Sequence, residues 1–376
     1  MVFVLGEEGG QAKLLGVSDI VLNQKLEEEV PCLLDAAVYS EDYDESEVES
    51  IRSYLHETFA VPVLKYADGK EMLYLGLDFT LQMLPVDLFF CNERREPVKN
   101  MLVDSICYVG EDTGIDLEKS DALVIGNPKL RQSGSPERWN LPCGELECLK
   151  IAEMFGTRAY IGEDAEQKLL WEKGTKDVIH LSTHGEFSIS KEMLDEVRKE
   201  TPLICSFLAF AGYEDWEQGI RDKRYGDGAV TGDDFLFMDL SGTKLVVLSA
   251  CVSGLGYFGG LDTVHGLRWA ISAAGAENSI TSLWEVSEEA TAVLMVLFYR
   301  NLRSMPVGEA MHQAKKRMSR ITIAEIRADE DLRQIAETAG RGKISGRDAP
   351  ESSKPFAGME ICQRPFSFSG AKGGGV

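Results

Sequence analysis

An α/β protein built on a mostly parallel sheet, with helices on both faces, is what the sequence predicts. Three observations lead there. Short β-rich apolar runs alternate with stretches of helical periodicity. Runs such as DALVIG and KLVVLSA are mainly apolar, and their alternation with helices is the pattern of a parallel sheet covered on both faces. Several of them stop abruptly at polar or glycine-containing turns, where open α/β sheets place their functional crevices.

The clearest strands are Asp121 to Gly126, Asp177 to Ser182, Lys244 to Ala250 and Asn278 to Leu283. An earlier pair, about Ala60 to Tyr66 and Glu71 to Gly76, reads as an antiparallel edge hairpin. Helical stripes follow: Val264, Leu267 and Ile271, then Ala290, Val293, Leu294, Leu297 and Phe298 after Ser287-Glu288-Glu289. A serine cap with acids in the first turn suits that second helix start. Pro306 opens another, with Val307, Ala310, Met311 and Ala314 on one face. The interval from Glu186 to Asp239 reads as an excursion beside the sheet. The resulting division is an acidic N-terminal segment (1–60), a folded domain (61–320) and an irregular, partly disordered tail (321–376).

Bulk properties narrow the function. The net charge of −23 repels phosphate backbones and anionic lipid surfaces, so direct nucleic-acid or membrane binding is not expected. No apolar run reaches the roughly 18 residues of a membrane span. The first residues lack a basic region followed by a long apolar one. The eight cysteines are scattered without a zinc-binding spacing. Reduced thiols in a cytoplasmic setting are therefore expected, with no cofactor or metal.

The segment LVVLSACVSGLGYFGG (Leu245 to Gly260) carries two readings. Gly254-x-Gly256-x-x-Gly259 fits a dinucleotide-binding loop. That loop needs its glycines directly after the strand and an acid about 20 residues on. Here Ala250 to Ser253 intervenes, and residue 279 is a serine, flanked more distantly by Glu277 and Glu285. The match is loose.

The other reading is a nucleophile. Cys251 stands where one strand stops, and His184-Gly185 stands where the run from Val178 stops. If those strands are neighbours, about 4.8 Å apart, their matching ends bring imidazole and thiol together. A thiol with pKa about 8.5 is mostly protonated at pH 7, and a neighbouring imidazolium raises its thiolate fraction. His184 would then protonate the leaving amine, and the backbone N–H groups of Gly185 and Cys251 would form an oxyanion hole. The glycines after Cys251 would act as a flexible turn. Against this, a cysteine at a strand end is more often core than catalyst. His180, mid-strand, reads as a buried, hydrogen-bonded histidine. On residue pattern alone both readings of Cys251 stay open.

These same residues resemble a family. DVIHLSTHGEF (177–187), DLSGTKLVVLSACVSGLG (239–256) and GAENSITSLWEVSEEAT (275–291) are similar to the CHAT domain, a caspase-like cysteine peptidase domain often attached to tetratricopeptide repeats. ALVIGNP (122–128), Leu141 through Glu147, Asp227 to Thr231 and Phe298 to Leu302 extend the similarity over roughly residues 70 to 318. The resemblance implies a caspase–haemoglobinase-like fold and a cysteine endopeptidase acting on a protein or peptide substrate. Cys251 would be its nucleophile, His184 its catalytic histidine and Gly185 an oxyanion-hole donor. It implies further that Asp262, Trp284 and Glu285 belong to the substrate pocket. A tetratricopeptide-repeat or other regulatory partner is implied as well. The alternative is a catalytically silent module of the same fold in a signalling assembly.

The sequence departs from the family in three places. Val252-Ser253 replaces a common acid–Thr pair, and Glu285 stands where proline is frequent. The expected closing strand with a tryptophan is not evident between Gly358 and Val376.

Overall fold

The computed structural model describes residues 2–8, 11–18, 45–66, 73–77, 86–91, 98–102, 114–131, 139–187, 202–251, 253–254, 256–258, 264–283, 287–339 and 366–370. Its strands are β1 (Val2–Glu8), β2 (Gln11–Ser18), β3 (Leu73–Leu75), β4 (Asn100–Leu102), β5 (Ala122–Pro128), β6 (Ala159–Gly162), β7 (Val178–Ser182) and β8 (Gly185–Phe187). They continue with β9 (Ser206–Ala209), β10 (Ala229–Thr231), β11 (Leu245–Ser249), β12 (Gly256–Phe258), β13 (Val264–Gly266), β14 (Asn278–Ser282) and β15 (Phe366–Gly370). The helices that cover the sheet are α1 (Glu45–Leu55), α2 (Pro142–Phe155), α3 (Leu169–Glu172), α4 (Gly232–Leu236), α5 (Leu267–Ala273), α6 (Glu288–Leu302), α7 (Val307–Met318), α8 (Ile323–Ala328) and α9 (Glu330–Thr338).

Eight strands form the central sheet in the order β3-β4-β15-β14-β11-β7-β5-β6. Every pairing in it is parallel except β14 with β15. The expected mostly parallel α/β architecture is present. Strict alternation along the buried strands sends their side chains to two cores. Val124, Val178, Leu245, Val247 and Ile280 face a core completed by α2, α6, α7 and α9. Leu123, Ile179, Leu181, Val246 and Leu248 face the opposite core, completed by α3, α4 and α5. Each such Val, Ile or Leu, fully withdrawn from water, contributes about 1.5–3 kcal/mol.

Local chemistry sets the helix ends. Ser287 caps α6, its side chain accepting from the Ala290 N–H. Gly156 closes α2 at φ 63°, a left-handed stop that glycine takes without strain.

Three expectations need correction. Residues Val61–Leu64 are helical and continue the turn of His56–Ala60, burying Phe59, Ala60 and Val63 against Phe89 and Phe90. Leu73–Leu75 then pairs in parallel with β4, so no edge hairpin forms here. The stretch assigned to an irregular tail holds α8 and α9, whose Ile326, Leu332, Ile335 and Ala336 lie in the core. A closing strand also exists: β15 runs antiparallel to β14 with Phe366 opposite Ser282. The fit of α9 is explained by Leu332, Ile335 and Ala336 at spacings of three and four, one apolar face against α2 and α6.

A smaller sheet, β10-β9-β8, grows from the carboxyl end of β7. It occupies the excursion predicted between Glu186 and Asp239.

Candidate active site

β7 and β11 are adjacent and parallel, in register from Leu245 opposite Val178 to Ser249 opposite Ser182. His184 and Cys251 each lie two residues beyond that last pair, so they leave the sheet side by side at its carboxyl rim. Both are half-buried. The continuation is tightly built: the Thr183 N–H donates to the Ser249 carbonyl at 3.3 Å, and the Ala209 N–H to the His184 carbonyl at 2.9 Å. Gly185 lies against the Cys251 backbone, where an added Cβ would meet the Cys251 carbonyl oxygen at 2.3 Å. Only glycine lets the two segments approach this closely.

The turn after Cys251 is pinned to the neighbouring strand. Ser253, buried, donates to the Ala250 carbonyl at 3.0 Å and accepts from the Ser282 N–H at 3.0 Å. The Ser282 hydroxyl also reaches the Ala250 carbonyl. Gly254 donates to the Ser282 carbonyl at 2.6 Å, and a Cβ there would meet that oxygen at 2.9 Å. The segment is held by polar contacts, contrary to the flexible turn expected. Nor does it open a helix: Gly256 starts β12, antiparallel to β13, and among the described residues the next helix begins at Leu267. A dinucleotide loop requires strand, glycine turn and helix in direct succession, so that reading is excluded.

His184 is oriented by a group the sequence does not advertise. Its Nε2 lies 2.9 Å from the Trp139 carbonyl oxygen, and the Trp139 indole meets the imidazole edge-on with centroids 5.3 Å apart. A carbonyl only accepts, so Nε2 carries the proton and the neutral ring keeps its lone pair on Nδ1. Burial pushes the His184 pKa below its usual value, partly opposed by the Trp139 contact. The imidazolium expected to hold a resting thiolate is thereby disfavoured.

Beneath the rim lies a buried polar layer. His180, on the same strand, is fully buried; its Nδ1 lies 3.2 Å from the Tyr299 hydroxyl. Its Nε2 lies 2.9 Å from Glu147 Oε1, a close contact outside hydrogen-bond geometry. Ser182 donates to the other Glu147 oxygen at 3.4 Å. Two further cysteines are chemically quiet. Burial and the nearby Glu147 push the Cys148 thiol well up, and burial with Glu288 raises Cys143 to about 12. Among the described residues no group of acids, histidines and cysteines is arranged to hold a metal ion. None of the described helices is long and apolar enough to cross a membrane.

Of the sequence-predicted site residues, the structure brings together His184, Gly185 and Cys251. Asp262, Trp284 and Glu285 lie outside the described residues. Trp139, Ser253 and Ser282 were missed. A backbone carbonyl leaves no trace in residue type, and buried serines at strand ends look like ordinary turn residues.

Residues 53–339 match the family profile of the CHAT domain. Tetratricopeptide repeat protein 28 of Mus musculus is 28% identical over 211 residues, which is 50% of this chain and 8% of that protein. The Homo sapiens protein of the same name is 28% identical over 214 residues, again 8% of its length. Among solved structures, the Arg-specific cysteine proteinase gingipain R aligns with a TM-score of 0.42 at 9% identity, over 93% of this chain and 75% of its own. A complex of the Porphyromonas gingivalis RgpB pro- and mature domains aligns with a TM-score of 0.36.

Proposed function

The chain belongs to the CHAT domain family, and on that premise we propose that it is a cysteine endopeptidase using Cys251 and His184. One observation carries the reading: His184 and Cys251 each follow by two residues the last pairing of two adjacent parallel strands, and the imidazole is oriented by the Trp139 carbonyl. His184 rests neutral. As Cys251 Sγ attacks the scissile carbonyl carbon, Nδ1 takes the thiol proton, and it returns that proton to the leaving amine. The acyl-enzyme thioester is then hydrolysed by water activated at the same nitrogen. The developing oxyanion is held by backbone N–H groups of Gly185 and Cys251, whose close packing fixes their relative position. Asp262, Trp284 and Glu285 are proposed to line the pocket for the residue preceding the scissile bond.

The matched relatives are tetratricopeptide-repeat proteins, which supports a repeat-containing regulatory partner for this chain. A cytoplasmic setting suits a reactive thiol. The second reading, a silent interaction module, draws on the same relatives, which are repeat proteins.

Profiling a peptide library with wild type and Cys251→Ala side by side separates the two. A peptidase yields cleavages that vanish in the variant. A silent module yields the same null profile from both.

A further inference from the structure

β5, next to β7 in the sheet, ends on an unusual backbone. Asn127 has φ 42°, the one non-glycine residue at positive φ among those described. The β5–β6 register slips between Gly126 and Pro128, leaving Asn127 out of the ladder. Bulges of this kind re-aim a side chain, and a strained residue persists only where its surroundings over-determine it.

The side chain of Asn127 is aimed at the loop that orients His184. It is 7% exposed. Its Oδ1 accepts from the Leu141 N–H at 2.7 Å. Its Nδ2 donates to Asn140 Oδ1 at 3.0 Å and to Glu145 Oε2 at 2.8 Å. All three contacts fall on residues 140–145, directly after Trp139, whose carbonyl faces His184 Nε2. The Trp139 carbonyl belongs to the peptide plane shared with Asn140, so clamping Asn140 and Leu141 sets where that oxygen points.

We propose that Asn127 is a positioning residue for the catalytic pair: its carboxamide holds the 139–141 backbone so that the Trp139 carbonyl fixes His184 in the tautomer with Nδ1 free. The inference rests on the peptidase reading of His184 and Cys251 for its functional meaning, though the positioning itself does not.

The residue type follows from the contacts. An amide offers acceptor and donor together, and asparagine tolerates the left-handed region better than most non-glycine residues. Aspartate would keep the acceptor for Leu141 but lose both donors and face the Glu145 carboxylate. Glycine would keep the backbone and lose every contact. The start of α2 is held independently from the other side, where Glu288 Oε1 accepts from the N–H groups of Cys143 at 2.5 Å and Gly144 at 3.1 Å. Loss of Asn127 therefore frees the 139–140 peptide while α2 stays anchored.

The test compares wild type, Asn127→Gly and Asn127→Asp in two readouts that a purely structural role would leave unmoved. One is the His184 tautomer by nitrogen NMR of imidazole-labelled protein. The other is the rate of iodoacetamide alkylation at Cys251 against pH, read by mass spectrometry. The expected result is loss of the single Nε2–H tautomer in both variants. Alkylation near neutral pH should slow on the order of 10- to 100-fold, the scale of losses from slight misplacement of a reacting group. Should Asn127→Gly not fold, Asn127→Asp carries the same readouts. Wild-type tautomer and alkylation profile in the folded variants would overturn the inference. A tautomer that responds to Asn127 in a protein that cleaves no peptide would leave the inference standing and overturn the peptidase reading alone.

Discussion

His180 and His184 sit four residues apart on one chain segment and do opposite things. His180 points into the core beside Glu147 and Tyr299, sealed from water and closed off by its neighbours. His184 stands past the strand end, half-exposed, with one nitrogen committed to the Trp139 carbonyl and the other left basic. The same contrast separates the cysteines. Cys148 is buried near Glu147 with its thiol pushed up, whereas Cys251 reaches the rim beyond β11. Residue type is shared within each pair; a place inside the core, on strand or helix, separates His180 and Cys148 from His184 and Cys251, which lie two residues past the last β7–β11 pairing.

Mutation of the rim should give the largest effect. His184→Ala is expected to lower kcat/KM at least about 1,000-fold, within the range that acid–base catalysis supplies, with little change in Tm. His180→Ala should do the reverse. It removes a fully buried ring and its contact with the Tyr299 hydroxyl, leaving a cavity that costs about 2–5 kcal/mol in denaturant unfolding, while activity per folded molecule is kept. Comparable activity losses from both substitutions would erase the distinction.

Gly185→Ala tests the junction. Its Cβ has no room beside the Cys251 carbonyl, so the rim must spread, with about 1–3 kcal/mol lost in thermal unfolding and slower turnover. Unchanged turnover would show that the close approach does not matter to the chemistry.

The smallest effect is on stability against pH. Burial holds His184 and His312 below the usual histidine value. The unfolded chain therefore binds more protons as pH falls through about 6.5, and stability drops with falling pH until the folded values are reached. Above about 6.5 both states are neutral and this contribution is complete. His184→Gln should flatten part of that slope, as followed by Tm between pH 5 and pH 8, a range set by ordinary histidine titration. A slope identical to wild type would mean that His184 titrates alike folded and unfolded.

Much of this was legible in the sequence. The strand runs at Val178–Ser182 and Leu245–Ser249 are apolar, β-branched and sharply ended, so their last residues could be matched before any coordinates. His184 and Cys251 followed from those ends. The supporting atoms did not. Trp139 lies 45 positions from His184 and contributes a main-chain oxygen, which no side-chain pattern encodes. Gly126-Asn127-Pro128 stands out in the sequence, yet its clamp on Leu141 depends on a fold-level approach. β15 was misread for a different reason. Phe366-Ser367-Phe368-Ser369 does alternate with period two, but it is short and carries no tryptophan. α8 and α9 were hidden by high charge, since Arg327, Glu330, Asp331 and Arg333 surround only a narrow apolar stripe.

The most direct test of the rim as a working dyad is site mapping with a peptidyl chloromethyl ketone, in wild type and His184→Ala. A single adduct on Cys251, forming far more slowly in the variant, is the predicted result. Equal rates in the two proteins, or an adduct on Cys143 or Cys148 in place of Cys251, would contradict it.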